Sequence, residues 1–322
     1  MRFTTALLSG LLFLSPLLTA PASAQSWPTH AIKVIVPFPA GGFADAAARL
    51  VGQKLGEALG QSVVIENRAG ASGTLGVDAV VKAPADGYTL LISSGDFITV
   101  PSLMPATTYD PYKDLIPVTR IALAPLILLT NTSSGLNSVK DVIEKAKAAP
   151  GTVAFGSPGP GTINQIAAEW LALEAGVKLL HVPYRGGGPM ANGLAAGDTA
   201  LGVTAVGSVQ GLVDAGKLKV LSIMTRERPS FMPPWPTMAD AGYHVDASLN
   251  VGLFVPAGTP AAIVSRLDAE MQTILKDEAM RKRFADLGMD VTPISQAALA
   301  DTIRAEAARF KTVIEQTGVK VN

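Results

Sequence analysis

Short β-branched apolar runs alternate along the chain with stretches whose apolar positions recur every three to four residues. Residues 32–36 (Ile-Lys-Val-Ile-Val) read as a strand, and 45–59 as a helix with Ala47, Leu50, Val51, Leu55, Ala58 and Leu59 on one face. Residues 62–66 and 88–93 (ending on Ser93) are strand-like. A strand over 126–130 precedes a helix over 138–148. The alternation continues with strands over 153–156, 179–182, 200–204 and 219–224, and helices over 162–174 and 189–196. Two helices follow over 261–276 and 296–315. Strands alternating with helices predict an α/β fold of parallel sheets covered by helices. Trp170, at helical spacing from Ile166 and Leu173, reads as core.

Two such units are expected. The first ends near residue 123, and the second spans 124–225. Residues 226–247, with Pro229, Pro233, Pro234 and Pro236, read as a surface crossing. The segment to 322 then returns to the first unit. A chain that crosses twice leaves a cleft between its units, and such clefts are favoured ligand sites.

The first residues change the picture of where the protein works. Arg2, an apolar stretch over 6–19 and the small-x-small exit Ala22-Ser23-Ala24 describe a cleavable secretory signal over 1–24, cut near Ala24/Gln25. A membrane anchor would need roughly 20 apolar residues, and Pro16 interrupts this run. No second long apolar segment follows, so no membrane insertion of the mature chain is expected. Lys+Arg and Asp+Glu are equal at 26 each. Without a basic face, nucleic-acid binding has no electrostatic footing. The chain has no cysteine, which excludes a disulfide framework, thiolate chemistry and lipid attachment through a thiol.

Three glycine-rich loops link a strand to a helix. The first is Pro37-Phe38-Pro39-Ala40-Gly41-Gly42-Phe43-Ala44-Asp45. Gly41 and Gly42 permit backbone angles that aim several N–H groups one way, and the following helix start adds partial positive charge. Together they form a receptor for a carboxylate or phosphate oxygen. Asp45 has two readings, a cap or first-turn partner of the helix dipole, or an acceptor for a ligand donor. The loop lacks the Gly-Lys-Ser/Thr ending of a nucleotide loop and the third glycine of a dinucleotide fingerprint. The second loop runs from Gly156 and Ser157 to Gly161 and Thr162, with Thr162 a good N-cap and two hydroxyls on offer. The third is Pro183-Tyr184-Arg185-Gly186-Gly187-Gly188-Pro189, in which Arg185 is the basic residue expected to border the cleft. A tight turn without ligand is the plain alternative for each.

Nothing in the sequence points to an enzyme. No Gly-x-Ser-x-Gly occurs, and His30, His181 and His244 form no His-Glu-x-x-His arrangement. His181 ends an apolar run and reads as structural. Glu66-Asn67-Arg68 reads as a strand end supporting the loop over 69–76. No metal or organic cofactor is implied.

These residues together resemble the Bug family, the TctC-like substrate-binding proteins of tripartite tricarboxylate transporters. The likeness rests on Pro37 to Gly42 with Asp45 and Arg49, Glu66 to Gly73 with Gly76, and Asp86-Gly87-Tyr88-Thr89-Leu90-Leu91. It continues through Tyr109-Asp110-Pro111, Gly161-Thr162, Val182-Pro183-Tyr184-Arg185-Gly186 and Val255-Pro256-Ala257-Gly258-Thr259-Pro260. The resemblance implies a periplasmic, monomeric, two-lobed binding protein of the Venus flytrap type (type II). It holds a small carboxylate ligand in its interdomain cleft and presents it to an inner-membrane permease. On this reading the ligand residues are Phe38, Gly41, Gly42, Asp45 and Ser93 in the first lobe. Ser157, Gly161, Thr162, Gln165, Arg185, Gly187 and Thr204 serve in the second. A membrane sensor as receiver, or a small-acid lyase or hydrolase with Asp45 as base, are the alternatives.

The second lobe departs from the family pattern. Gln165 stands where a histidine is usual, Gly193 where an acid is common, Thr199-Ala200 for Val-Asp, Thr204 for an acid and Asn250 for a tryptophan. With fewer acids to pair an amine, the ligand's distal end is expected to carry a second carboxylate, gripped by Arg185, or an uncharged polar group.

Overall fold

The computed structural model describes residues 27–104 and 107–319; the expected leader, residues 1–24, lies outside them. In chain order the strands are β1 (Ile32–Val36), β2 (Val63–Asn67), β3 (Thr89–Ser93), β4 (Leu115–Asn131), β5 (Ala154–Ser157), β6 (Leu180–Pro183), β7 (Leu201–Ala205), β8 (Leu218–Ile223) and β9 (Ser248–Pro256). The helices are α1 (Phe43–Leu59), α2 (Thr74–Val81), α3 (Asp96–Leu103), α4 (Val139–Ala148), α5 (Ile163–Ala175), α6 (Gly187–Ala196), α7 (Gln210–Asp214), α8 (Ala261–Lys276), α9 (Glu278–Asp286) and α10 (Gln296–Thr317).

Each lobe is built on a mixed sheet with a parallel core. In the first, β1 lies between β2 and β3, parallel to both, and β9 runs antiparallel between β3 and β4. In the second, β5 lies parallel between β6 and β7, and β4 runs antiparallel to β7 and β8. One strand, β4, belongs to both sheets. Its residues Leu115 to Pro125 pair with β9, and Leu126 to Asn131 pair with β7 and β8. The boundary expected near residue 123 therefore falls inside a strand. Register shifts between Pro117 and Thr119 and between Arg120 and Ala122 mark the first half. A proline has no N–H for a ladder, and bulges of this kind bend a strand.

Most of the expected face of α1 is buried: Ala47, Leu50, Val51, Leu55 and Leu59 meet the core, whereas Ala58, near the end of the helix, is exposed. Ser138 caps α4 in a capping box with Asp141, as Ser/Thr followed three residues later by an acid favours. The strand expected over 126–130 is the end of a much longer element. Prolines and Arg120 disguise the beginning of β4. The helices α2, α3, α7 and α9 and the strand β9 were not expected from the apolar periodicity. In α3 the β-branched and aromatic run Phe97-Ile98-Thr99-Val100 favours a strand, and tertiary packing overrides it. Trp170 is half-buried against the core, while Leu173 is 40% exposed, so only Ile166 of that trio is fully interior. The C-terminal segment returns to the first lobe through α8, which packs on α1 and β4. The last helix, α10, touches α3, β4 and also α5 of the second lobe. No described helix is long and apolar enough to cross a membrane.

Candidate functional site

The first glycine loop leaves β1 and turns into α1. Gly41 adopts φ +82°, a region glycine enters without Cβ strain. Its N–H donates to Asp45 Oδ2 at 2.9 Å. Arg49 reaches the same carboxylate through Nε to Oδ2 at 3.0 Å and Nη2 to Oδ1 at 3.0 Å. Asn67 Nδ2 donates to Asp45 Oδ1 and to the Phe38 carbonyl, both at 3.0 Å. Burial of Asp45, only 3% exposed, pushes its carboxyl upward. The hydrogen bonds from Arg49, Gly41 and Asn67 outweigh burial and hold it below the ordinary carboxylate range. Both Asp45 oxygens thus hold the loop. Asn67 braces this loop rather than the one over 69–76.

The second loop repeats the device. Gly161, at φ +78°, donates its N–H to Gln165 Oε1 at 2.8 Å. The expected hydroxyls turn into the loop. Ser157 Oγ donates to the Gly159 carbonyl at 2.9 Å and lies 2.7 Å from His181 Nε2. Thr162 Oγ1 donates to the same carbonyl at 2.8 Å. Thr162 sits at the N-cap of α5 but makes no side-chain cap bond. The cap comes from the other lobe. Asp96 Oδ1 accepts the Ile163 N–H at 2.8 Å.

Asp96 opens α3, is 3% exposed, and accepts a second hydrogen bond from Ser94 Oγ on Oδ2. Burial raises its pKa, while the Ser94 hydroxyl and the Ile163 N–H oppose the rise. Two further bonds cross between the lobes, Thr99 Oγ1 to the Gly161 carbonyl at 2.9 Å and Ser72 Oγ to the Pro160 carbonyl at 2.7 Å. Ser93 is buried beside this junction, with its Oγ donating to the Ser94 carbonyl at 3.0 Å.

The third loop brings Gly186 (φ +113°) so close to Pro39 that a Cβ there would lie 2.9 Å from Pro39 Cγ. The two lobes close on a narrow space of about 30 Å³. Its first wall is Phe38 to Ala40 and Gly42 to Ala44. Its second is Gly187, Gly188 and Pro189 with Asn164, Thr204 and Ser208, and Asp96 and Pro158 complete it. Of the expected ligand residues, Phe38, Gly42, Gly187 and Thr204 line the cavity. Gly41, Asp45, Ser157, Gly161, Thr162 and Gln165 are not among its walls, and the bonds above show them shaping the loops. Arg185 is exposed and lines a second, outer opening with Ser72, Met104 and Tyr184; the two spaces share Phe38, Pro39 and Pro158.

Two helix N-termini, those of α1 and α6, open on this one cavity. Each carries partial positive charge and unpaired N–H groups, the setting in which an anion binds. Thr204 Oγ1 and Ser208 Oγ have no hydrogen-bond partner and both face Gly187, at 3.5 Å and 2.9 Å from where its Cβ would lie. Among the described residues no cluster of three or more His, Asp or Glu is placed to hold a metal.

Residues 47–319 match the model of the tripartite tricarboxylate transporter family receptor. The chain belongs to that family. It is 36% identical over 307 residues to protein BugT of Bordetella pertussis, covering 94% of each chain. Among solved structures, the R. palustris protein Rpa4515 with adipate superposes at TM-score 0.88 with 31% identity, over 91% of this chain and 99% of that one. MatC (Rpa3494) of Rhodopseudomonas palustris with bound malate superposes at 0.83 with 28% identity, over 89% and 100%. The receptor is thus a two-lobed solute-binding protein of the transporter class, and its fold is that of periplasmic binding proteins. The Bug-family resemblance read from the glycine loops holds along the whole described chain.

Sequence reasoning missed three residues of the cavity, Asp96, Asn164 and Ser208. Asn164 is neighbour to the expected Gln165, but successive helix positions diverge by about 100°, so one faces the cavity and the other the loop. Asp96 gave no motif; only its place after β3, at another strand-to-helix junction, hinted at it.

Proposed function

We propose that this receptor captures a small solute through a carboxylate held between the N-termini of α1 and α6, and hands it to permease subunits of the inner membrane. The observation that carries the reading is the meeting of two helix N-termini on one narrow space between the lobes, with Gly42 on one side and Gly187 on the other, which adjoins the larger outer opening at Phe38, Pro39 and Pro158. Relatives of the same fold hold adipate and malate. The first lobe comprises 25–123 and 226–322, the second 124–225, and solute release follows their separation. The protein is exported to the periplasm with residues 1–24 removed, and acts as a monomer that neither enters the membrane nor binds nucleic acid. It works as a carrier rather than an enzyme and requires no cofactor.

A thermal-shift screen of the mature chain against mono-, di- and tricarboxylates, amino acids and aromatic acids tests the reading. A ligand at 100 times its Kd adds about 2.7 kcal/mol, which raises the midpoint by several degrees at this chain length. A shift with one carboxylate class supports capture. Refolded, ligand-free protein that no acid stabilises rejects it.

A further inference from the structure

The narrow space between the starts of α1 and α6 measures about 30 Å³, room for a head group the size of roughly one or two waters. Past Phe38, Pro39 and Pro158 it adjoins the outer opening, whose volume is about 580 Å³, within the range of sites that hold a small molecule. Several polar groups of that wall are already engaged. Ser72 Oγ donates to the Pro160 carbonyl at 2.7 Å. The Gly73 N–H donates to the Gly70 carbonyl at 2.9 Å, the Tyr184 N–H to the Ser157 carbonyl at 2.9 Å and the Gly186 N–H to the Pro158 carbonyl at 2.8 Å. What faces the opening is largely apolar: Phe38, Pro39 and Met104 from the first lobe, Pro158, Pro160 and the Tyr184 ring from the second. Among the described residues Arg185 is the one charged group of this wall, and no acid lines it.

The width of the opening depends on where the Tyr184 ring lies. A Cβ at Gly193 would fall on the Tyr184 hydroxyl and lie 2.6 Å from Cε1 and 2.7 Å from Cζ, and a Cβ at Gly156 would lie 3.0 Å from Cε2. The ring thus occupies the room that side chains at 156 and 193 would take, packed on the cluster that holds Met190 and Leu194. Gly193 sits inside α6 without a positive φ. Its backbone does not call for glycine, and a helix interior favours alanine there. Resting on the capture reading above, we propose that the receptor takes a carboxylate with a bulky apolar body, its head in the narrow space and its body in the outer opening, and that Gly193 sets the size of that body through Tyr184. A methyl group at 193 drives the ring off α6. Gly156 backs the ring's other edge, so the ring moves into the opening, where it excludes a large body and spares a small one. The body touches both lobes, and its burial favours their closure. An amine at the far end meets no acid on this wall.

The test is calorimetric titration of the mature chain with propionate, hexanoate, phenylacetate, malate and citrate. The wild-type protein is expected to bind hexanoate or phenylacetate at least about tenfold more tightly than propionate, malate or citrate. Gly193→Ala is expected to weaken hexanoate and phenylacetate about tenfold and propionate less than about twofold. In a Tyr184→Ala background the same change at 193 is expected to alter affinity less than about twofold, because no ring remains to be displaced. A defect in folding would instead lower affinity for every acid in both backgrounds. Malate or citrate as the tightest ligand overturns the inference and leaves the capture reading standing. So does a wild-type hexanoate-to-propionate ratio in Gly193→Ala, or an equal loss with and without Tyr184. Failure of all these acids to bind overturns it as well, and the capture reading falls only if the wider acid screen is also blank.

Discussion

The backbone N–H of Gly161 donates to Oε1 of Gln165 at 2.8 Å, and the N–H of Gly41 donates to Asp45 at 2.9 Å in the same way. In each lobe a glycine in the left-handed region is tied to a polar side chain four residues on, in the first turn of the helix it opens. The ties fix the direction in which the remaining N–H groups of each loop point. They differ in chemistry, because Asp45 is ionised and shared with Arg49 and Asn67, whereas Gln165 is neutral.

Asp45→Ala is therefore expected to cost more than loss of one hydrogen bond. It strips an acceptor from Gly41 and Asn67 and removes the carboxylate from Arg49, which keeps only Asn67 Oδ1 at 3.1 Å, a loss of about 1–3 kcal/mol in stability. Asp45→Asn retains an oxygen for Gly41 but not the charge, and is expected to fall between the alanine variant and wild type. Urea denaturation measures the order. If Asp45 were instead a ligand contact, the alanine variant would lose affinity with its stability intact.

Gln165→Ala is expected to cost about 1–2 kcal/mol, the price of leaving one buried N–H unpaired. Because Asp96 and Thr99 also hold this loop, affinity should fall less than in Asp45→Ala. Parallel denaturation and titration of the two variants check the asymmetry.

The first loop could be read from its residues because everything it needs is local: a strand, two glycines and an acid one helical turn away. Asp96 could not, since its partner Ile163 lies 67 positions distant and α3 is written in strand-forming residues. The same applies to β4. Its two halves serve different sheets, and the bulges near Pro117 and Arg120 erase the alternation by which a strand is recognised. Thr204 drew notice only as a departure from the family pattern. That its hydroxyl is buried without a partner is a fact of packing alone.

Where the lobes join, Glu306 of α10 is buried and accepts from Asn250 Nδ2 at 2.5 Å, with Arg309 at 3.9 Å. Burial pushes its carboxyl up to about 7, against the pull of Arg309, Arg120 and Asn250. A carboxyl raised in the fold contributes stability that is fully present below its ordinary value near 4.5 and is lost as pH rises through about 7. His181, pushed down to about 4 by burial, works the other way: its contribution is present above about 6.5 and fades as pH falls. Glu306→Gln is expected to flatten the decline between pH 4.5 and 7 relative to wild type and leave the His181 contribution in place. Denaturation midpoints measured across pH 4 to 8 in both proteins give the difference directly. An identical slope in the two would show that Glu306 titrates the same way folded and unfolded.

Closure itself can be tested at Gly186. Its φ of +113° is closed to residues with a Cβ, and the added carbon would lie 2.9 Å from Pro39 Cγ across the cleft. The backbone strain alone is about 1–3 kcal/mol, and the clash adds a penalty confined to the closed state. Gly135 makes a control, since it has φ +77° but open space around a Cβ. Gly135→Ala is expected to lower stability by about 1 kcal/mol and leave ligand affinity unchanged. Gly186→Ala is expected to lower affinity at least about tenfold, equivalent to about 1.4 kcal/mol, because the lobes must meet to bind. Small-angle scattering with and without ligand separates the causes: a variant held open stays at the larger radius of gyration when ligand is added. Wild-type affinity and compaction in Gly186→Ala would mean that the approach of Gly186 to Pro39 is not required for the bound state.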